Sequence, residues 1–184
     1  IMAIGVTPET TLAREAGVEL GMKGSILVNE KMETSIPDIY AVGDAVQIKN
    51  FVTGADTLIS LAGPANKQGR IAADNICGGH SRYTGGQGSS VVKLFDMTAA
   101  ATGINEKTAK SQGIEADKVI LSPMSHAGYY PGGQIMTMKL LFEKETYRIL
   151  GAQIVGFHGV DKRIDVLATA LRAGMKAYEL ADLD

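Results

Sequence analysis

One aspartate is the strongest candidate for ligand binding in this sequence. Asp44 follows Gly43 at the end of the apolar segment 39–42. Open α/β sheets bind ligands at the carboxyl edge of their strands, where a carboxylate can accept hydrogen bonds from sugar-like hydroxyls. The sequence therefore predicts a strand that ends at Gly43 and a side chain at position 44 that lies beside an open groove. A strand followed by an ordinary Asp-containing turn explains the same residues equally well.

A pair of adjacent tyrosines is the second candidate. Tyr129 and Tyr130 lie in the segment SHAGYYPG, residues 125–132. A phenol can donate a hydrogen bond to a thiolate or hand over a proton. Packing of a loop against an apolar surface is the alternative explanation for the pair.

The cysteine and the histidines offer weaker signals. Cys77 is the one cysteine of the chain, at the end of a predicted helix and before two glycines. We predict a buried structural thiol there rather than a reactive one. The histidines at positions 80, 126 and 158 have no metal-ligand spacing, so we predict no metal site and ordinary hydrogen-bonding roles for His126 and His158.

Composition excludes several classes of protein. The 184 residues are 45% hydrophobic and 21% charged, which is typical of a soluble folded protein. The net charge of −2, without a basic block, argues against nucleic acid as a partner. No apolar run approaches the roughly 20 residues that span a bilayer, so we predict no membrane partner and a cytoplasmic location. A single cysteine excludes a disulfide-stapled secreted scaffold.

The elements that must position Asp44 lie in the first part of the chain, residues 1–80. Apolar segments separated by glycine-rich turns predict strands at residues 1–5, 24–28 and 39–42. Together with two helices, these strands indicate an α/β organisation.

The first of these helices is short and the second is long. Thr10 can cap the short helix, and Leu12, Ala13 and Ala16 are expected to face inward before Gly17 ends it. Pro64 suits the first turn of the long helix, because its missing N–H would be unpaired there anyway. Helical spacing predicts the inner face of the long helix to consist of Ala65, Gly69, Ala72 and Ile76.

A different pattern begins after the linker-like segment 81–88. The order β-α-β-β-β-α predicts an antiparallel sheet covered on one face by helices over residues 81–184. The last helix has apolar residues at helical spacing and Gly174 at its carboxyl end. The predicted strands are 91–97, 118–122, 135–142 and 148–157, the helix between the first two is 105–112, and the inward residues of the last helix are Val160, Ile164, Leu167, Ala168 and Leu171.

The segment TSIPDIYAVGDA, residues 34–45, resembles the second FAD fingerprint of the flavin-dependent pyridine nucleotide–disulfide oxidoreductases. In that family a Thr, then four or five residues, then an Ile/Val-Tyr-Ala-x-Gly-Asp run place the Asp on the ribityl chain of FAD. IMAIGVTPETTLA looks like the closing strand of the NAD-binding domain, and LAGPANKQGRIAADNI looks like the helix whose N-terminus faces the flavin. The resemblance implies FAD contacts at Gly43, Asp44 and Ala45, with Asn66 as a weaker candidate.

The rest of the chain resembles the dimerisation domain of the same family, in its coenzyme A-disulfide reductase and NADH oxidase branch. The segment SHAGYYPG looks like the one that reaches the partner subunit's active site. The resemblance implies that Tyr129, before Tyr130, is placed against the reacting sulfur. It also implies a fold: an α/β fragment of a nucleotide-binding domain at residues 1–80, with the ends of the NAD and FAD domains, and an α+β dimerisation domain at 81–184.

The absence of one motif indicates which branch of the family this sequence resembles. The two-cysteine disulfide reductases of this superfamily carry a His-Pro-Thr and Glu signature, and no histidine here precedes Pro-Thr. The single-cysteine branch is therefore favoured, in which one flavin-side cysteine forms a mixed disulfide or cycles through a sulfenic acid. That cysteine and the Gly-rich ADP loop would lie upstream of residue 1. Coenzyme A phosphates would need cations, for which Lys67 and Arg70 are candidates.

The resemblance implies a parent enzyme that uses FAD and NAD(P)H to reduce coenzyme A disulfide or a related persulfide or polysulfide. It also implies a homodimer formed through the strands after residue 88. The chain by itself is expected to be inactive and to retain neither cofactor. Two alternatives stay open: an NADH oxidase or peroxidase with a cysteine sulfenic acid cycle, and a dimerisation or interaction module without activity.

Overall fold

The computed structural model describes residues 5–183, which form two compact units that divide after Gly86. The predicted domain boundary lies slightly earlier in the chain, between residues 80 and 81. Of the strand predicted at residues 1–5, all but Gly5 lies outside the described residues. No helix among the described residues is long and apolar enough to cross a membrane.

The first unit is built around a small three-stranded sheet. Its strands run in the order β1-β2-β3, with β1 parallel to β2 and β2 antiparallel to β3. A cluster of buried residues that includes Met32, Val46, Ile71 and Tyr83 forms its core. The elements are α1 (Thr11–Glu15), β1 (Ile26–Leu27), β2 (Val46–Lys49), β3 (Asp56–Thr57), α2 (Ala62–Ile76) and two 3₁₀ turns (Met22–Gly24 and Gly43–Ala45).

The strand predicted at residues 39–42 does not form, and this prediction was wrong. The segment makes one isolated bridge, between Tyr40 and Glu33, and the Ala41 N–H donates to the Met32 carbonyl. No second neighbour pairs with it in the described part of the chain, and a buried strand needs neighbours on both sides. Regular pairing starts only at β2, after the turn Gly43–Ala45. Asp44 therefore precedes a strand instead of following one.

The short helix α1 occupies its predicted place but has no buried residue. Leu12 is 82% exposed, so the expected inward face was wrong. Thr10 lies at the N-cap position, yet its hydroxyl donates to the Gly24 carbonyl at 2.7 Å and does not cap the helix. The positive φ of Gly17, 81°, ends the helix as predicted.

The long helix α2 begins at Ala62 and has Pro64 in its first turn, as predicted. Its buried residues are Gln68, Ile71, Ala72 and Asn75. Of the predicted inner face only Ala72 is buried, whereas Ile76 is 62% exposed. The apolar spacing predicted the wrong face of α2, because two of the residues on the buried face are the amides Gln68 and Asn75.

The residue after α2 corrects a further prediction. Cys77 occupies the C-cap position of α2 and is exposed. The prediction of a buried thiol was therefore wrong. Position 77 comes two residues after the buried Asn75, so it lies on the opposite side of the helix axis.

The second unit is a five-stranded antiparallel sheet with two helices. The strands run in the order β4-β5-β8-β7-β6. The predicted strand 91–97 is in fact a hairpin, with a turn at Phe95 and Asp96. The elements are β4 (Ser90–Leu94), β5 (Met97–Gly103), α3 (Glu106–Ser111), β6 (Ala116–Leu121), β7 (Thr137–Glu143), β8 (Ile149–Gly156), α4 (Val160–Ala173) and a 3₁₀ turn (Ala177–Asp182).

Helix α4 covers one face of this sheet. Its Val160, Ile164 and Leu167 pack in one cluster with Ala152 and Ile154 of β8. The predicted inner face of α4 is confirmed except at Ala168, which is half-buried, and Gly174 is the C-cap with a φ of 75°. Helix α3 lies on the opposite face: its Glu106 pairs with Lys139, whose neighbours along β7, Met138 and Leu140, pack on the α4 side. The prediction that helices cover only one face was therefore wrong, because alternate residues of β7 offer partners to a helix on each face.

The predicted fold class is confirmed by this arrangement. A short α/β segment with a parallel strand pair comes first, and an antiparallel sheet with helices on its faces follows. Asn105 caps α3 by accepting the Thr108 N–H at 2.9 Å, and Gly113 follows that helix with a φ of 68°. The predicted hairpin between β7 and β8 is also present.

Candidate functional site

The turn Gly43–Ala45 is held against α2 by a buried glutamine. The Gly43 N–H donates to Oε1 of Gln68 at 2.7 Å, and Gln68 is only 1% exposed. Gly43 has a φ of 86°, which a residue with a side chain adopts only with strain. The turn thus has a defined place beside α2, and the Asp44 side chain stays exposed.

The start of α2 offers hydrogen-bond donors near this turn. Leu61 is the N-cap residue and provides no side-chain cap. Because Pro64 has no N–H, the donors of the first turn are the N–H groups of Ala62 and Gly63. A helix N-terminus also carries positive potential. The turn that carries Asp44 lies close to this helix end, since a Cβ on Gly43 would lie 3.9 Å from Cβ of Ala65.

These groups fit part of an FAD molecule. An exposed carboxylate can accept hydrogen bonds from ribityl hydroxyls, and uncapped N–H groups suit the electron-rich edge of a flavin. Gly43 contributes backbone conformation only, because its N–H is bound to Gln68. The Asn66 amide donates one hydrogen bond to the Ala62 carbonyl at 3.0 Å, which leaves its oxygen and its second N–H able to contact a ligand.

The two cations proposed for substrate binding do not line the same surface. Ala65, Asn66, Gly69, Arg70 and Ala73 line a shallow groove of about 490 Å³ along α2. Lys67 is exposed on the same helix but is not part of the groove lining. The structure therefore brings Asn66 and Arg70 together and leaves Lys67 apart.

The tyrosine pair projects from the connection between β6 and β7. Tyr129 is 91% exposed and Tyr130 is 67% exposed. No described residue covers the Tyr129 ring, so loop packing does not account for this side chain. A phenol at the tip of a projecting loop is suited to contact with another molecule.

Two further features were not predicted from the sequence. In the first unit an open cavity of about 480 Å³ is lined by both apolar and polar residues, among them Val28, Met32, Ile48, Lys49 and Tyr83. These residues come from separate segments without a common motif, so no local pattern indicates the cavity.

The second unpredicted feature is an ion cluster in the second unit. Glu106 of α3 bridges Lys118 of β6 at 2.5 Å and Lys139 of β7 at 2.8 Å. Hydrogen bonds from the two ammonium groups lower the pKa of Glu106 to about 2, and the pKa of Lys118 is raised by the same contact. Charges at separated positions gave no sequence signal because only the sheet register brings them together.

Comparison with known protein families gives two matches. The model described as "Pyridine nucleotide-disulphide oxidoreductase, dimerisation domain" matches residues 89–183. The model described as "Pyridine nucleotide-disulphide oxidoreductase" matches residues 1–69. Together they span nearly all of the chain.

Curated relatives have related names. The chain is 38% identical over 173 residues to a CoA-dependent NAD(P)H sulfur oxidoreductase of Pyrococcus abyssi. The matched residues are 94% of this chain and 39% of the relative. The chain is 38% identical over 187 residues to an NADH oxidase of Methanocaldococcus jannaschii, covering 100% and 41%. It is 33% identical over 185 residues to a coenzyme A disulfide reductase of Staphylococcus epidermidis, covering 100% and 42%. The chain thus spans about two fifths of these relatives.

Solved structures share the fold over the same residues. Reduced CoADR-RHD of Bacillus anthracis superposes with a TM-score of 0.96 at 51% identity, covering 99% of this chain and 33% of that one. An NAD-dependent persulfide reductase of A. fulgidus superposes with a TM-score of 0.95 at 43% identity, covering 99% and 34%. The elements of both units described above therefore occur within longer proteins.

Proposed function

Because this chain belongs to the pyridine nucleotide–disulphide oxidoreductase family, we propose that it is the C-terminal part of an FAD-dependent NAD(P)H oxidoreductase. The family consists of enzymes, and the relatives named above reduce sulfur compounds or are named NADH oxidase. We propose coenzyme A disulfide, or a related persulfide or polysulfide, as the substrate. The names of the Pyrococcus and Staphylococcus relatives support that choice.

The observation that carries the proposal is the exposed Asp44 on a turn fixed beside the uncapped start of α2. In the proposed enzyme Asp44 accepts hydrogen bonds from the ribityl chain, and Gly43 and Ala45 shape the turn that presents it. Asn66 and the first N–H groups of α2 contact the flavin ring. Bound FAD would supply the two-electron chemistry that links NAD(P)H oxidation to substrate reduction.

Tyr129 acts on the substrate side of the proposed reaction. Reduction of a disulfide consumes two electrons and two protons and yields two thiols. A cysteine upstream of this sequence attacks one sulfur and releases the other as a thiolate. The Tyr129 hydroxyl, supplied to the active site of the partner subunit, donates a hydrogen bond or a proton to that leaving thiolate. Its exposure at the tip of a loop supports the role.

Cations on α2 suit a substrate that carries phosphates. Arg70 in the groove along α2 is proposed to bind a coenzyme A phosphate, and Lys67 to add long-range attraction from outside the groove. Arginine suits direct contact because its planar guanidinium can bind a phosphate with two parallel hydrogen bonds.

The proposed enzyme is a homodimer formed through the second unit. The sheet face opposite α4, which also carries α3, exposes apolar side chains in four of the five strands, among them Val92, Met97, Ile120 and Val155. Exposed apolar patches of this kind mark interaction surfaces, and two-fold packing of one copy on another covers both patches at once.

Substitution of Asp44 tests the proposal. In the full-length enzyme, Asp44→Asn keeps the size of the side chain and removes its charge, so the ratio of flavin absorbance to protein in the purified enzyme should fall. The matched control is Asp38→Asn, at an exposed aspartate in the same segment. Full flavin content in Asp44→Asn, or equal loss in both variants, would contradict the role of Asp44.

An oxidase is the second candidate, and the Methanocaldococcus relative favours it. In that case the upstream cysteine cycles between thiolate and sulfenic acid, and oxygen or peroxide accepts the electrons. Turnover of the full-length enzyme with NADH and each acceptor in turn separates the two. A higher kcat/KM for coenzyme A disulfide than for oxygen supports the reductase, and the reverse order supports the oxidase.

A further inference from the structure

We infer that His126 is a positioning residue that holds the loop 125–134 in the form that presents Tyr129. The inference deepens the proposed function and rests on the role proposed there for Tyr129. It assigns to His126 a task beyond the ordinary hydrogen bonding expected from the sequence. Contacts at three levels of the loop support it.

The base of the loop is a continuation of the β6–β7 hairpin. Met124 and Ile135 form an antiparallel bridge, and the Ser125 N–H donates to the Gln134 carbonyl at 2.8 Å. The Gln134 N–H donates back to the Ser125 hydroxyl at 3.2 Å. These bonds fix both ends of the loop, so the position of the tip depends on the residues between Ser125 and Gln134.

The tip itself is a tight turn closed by one carbonyl. The Ala127 oxygen accepts the N–H of Tyr130 at 3.0 Å, which places Tyr129 at the third position of the turn. Nδ1 of His126 lies 3.1 Å from the same oxygen. Since a carbonyl only accepts, Nδ1 carries the proton of this hydrogen bond, and the imidazole braces the turn from a second direction.

The His126 ring also holds the neighbouring tyrosine. The ring centroids of His126 and Tyr130 are 5.6 Å apart with an angle of 80° between the planes, an edge-to-face contact. A Cβ on Gly133 would lie 3.2 Å from Cε1 of His126, so the far side of the loop closes over the imidazole. His126 is half-buried between these groups. The Tyr130 ring is thus held by its contact with His126. The hydroxyl of Tyr129, by contrast, has no hydrogen-bond partner among residues 5–183.

A fixed tip matters because Tyr129 is so exposed. A mobile phenol at a loop tip loses conformational entropy when it docks, and a preorganised one loses less. His126 supplies this preorganisation with a hydrogen bond and a ring contact, neither of which reaches the substrate. It therefore acts through Tyr129, and its loss should matter only when the Tyr129 hydroxyl is present.

A double-mutant cycle in the full-length enzyme tests this. His126→Ala should lower kcat for coenzyme A disulfide about tenfold, the order expected when a catalytic group loses its orientation. The same substitution in a Tyr129→Phe background should change kcat less than about twofold, since the group that it positions is already gone. His126→Asn, which keeps a donor for the Ala127 carbonyl, should restore part of the rate. His158→Ala, at an exposed histidine of the same unit, is the matched control.

Loop order is measured independently of activity by proteolysis. Chymotrypsin can cut the Tyr129–Tyr130 bond, whereas Pro131 protects the next one. His126→Ala should be cut several times faster there than the wild type, with the same thermal midpoint. His158→Ala should be cut at the wild-type rate.

The outcomes separate the inference from the proposed function. Wild-type kcat in Tyr129→Phe would overturn the role of Tyr129. A reduced kcat in Tyr129→Phe with wild-type kcat and cleavage in His126→Ala would overturn the inference alone. Equal losses on removal of His126 in both backgrounds would also overturn it, because they would show that His126 acts independently of Tyr129.

Discussion

At the scale of single residues, Glu106 has the best-defined electrostatic role. Its carboxylate pairs with Lys118 and Lys139 and has a pKa lowered from 4.5 to about 2. A lowered pKa in the folded state stabilises the fold above pH 4.5, and this contribution disappears as the pH falls towards about 2. The pairs are partly exposed, so the effect is modest and screened by salt.

We predict that Glu106→Gln lowers the thermal midpoint of the chain at pH 7, and that the difference from the wild type shrinks between pH 4.5 and about pH 2. Thermal unfolding followed by circular dichroism at several pH values measures this. Glu145→Gln, in the exposed β7–β8 turn, removes the same charge as a control. A midpoint difference that does not change with pH would show that the cluster contributes packing and not charge.

For the site residues, the sequence pattern predicted the family but not the local structure. The fingerprint identified the family from residue types alone, although the strand expected to carry Asp44 is absent. Residue types recur for chemical reasons, whereas a strand forms only where neighbouring segments can pair with it. The buried acceptor of Gly43, Gln68, left no sequence signal because a glutamine at that spacing is ordinarily exposed.

At the scale of elements, the hydrogen bond between the Gly43 turn and α2 is the connection most open to test. We predict that Gln68→Leu destabilises the chain by about 1 kcal/mol, the order expected when the half-buried Gly43 N–H loses its acceptor. Urea unfolding measures the change. Asn66→Ala, on the exposed side of the same helix, should cost much less because its amide bonds only within the helix. Equal costs for the two variants would contradict a special role for Gln68.

Element types were predicted best where apolar spacing was regular. Helix α4 and the β7–β8 hairpin follow directly from their patterns. Strand β5 was missed because MTAAATG has few large apolar residues, and its small side chains pack under α4 or next to other strands. The face of α2 was misjudged because its two buried amides are compensated by partners distant in sequence.

At the scale of the whole molecule, the sheet face opposite α4 is the proposed dimer interface. We predict that Val155→Asp converts the proposed dimer to a monomer in sedimentation velocity, because it places a charge at the exposed position of β8, in the central strand of that face. Val166→Asp changes a similarly exposed valine on α4 and should leave the dimer intact. Dimers in both variants would exclude this face as the interface.

The 184-residue chain by itself is not expected to hold FAD. The groups that fit FAD are one exposed carboxylate and the start of one helix, where Ala62 and Gly63 are also exposed. Tight binding of a ligand of this size requires burial of most of its surface. We therefore predict that the 184-residue chain, purified and mixed with excess FAD, is colourless after gel filtration and inactive with NADH. Stoichiometric flavin absorbance in the protein peak would show that the turn and α2 suffice to hold the cofactor.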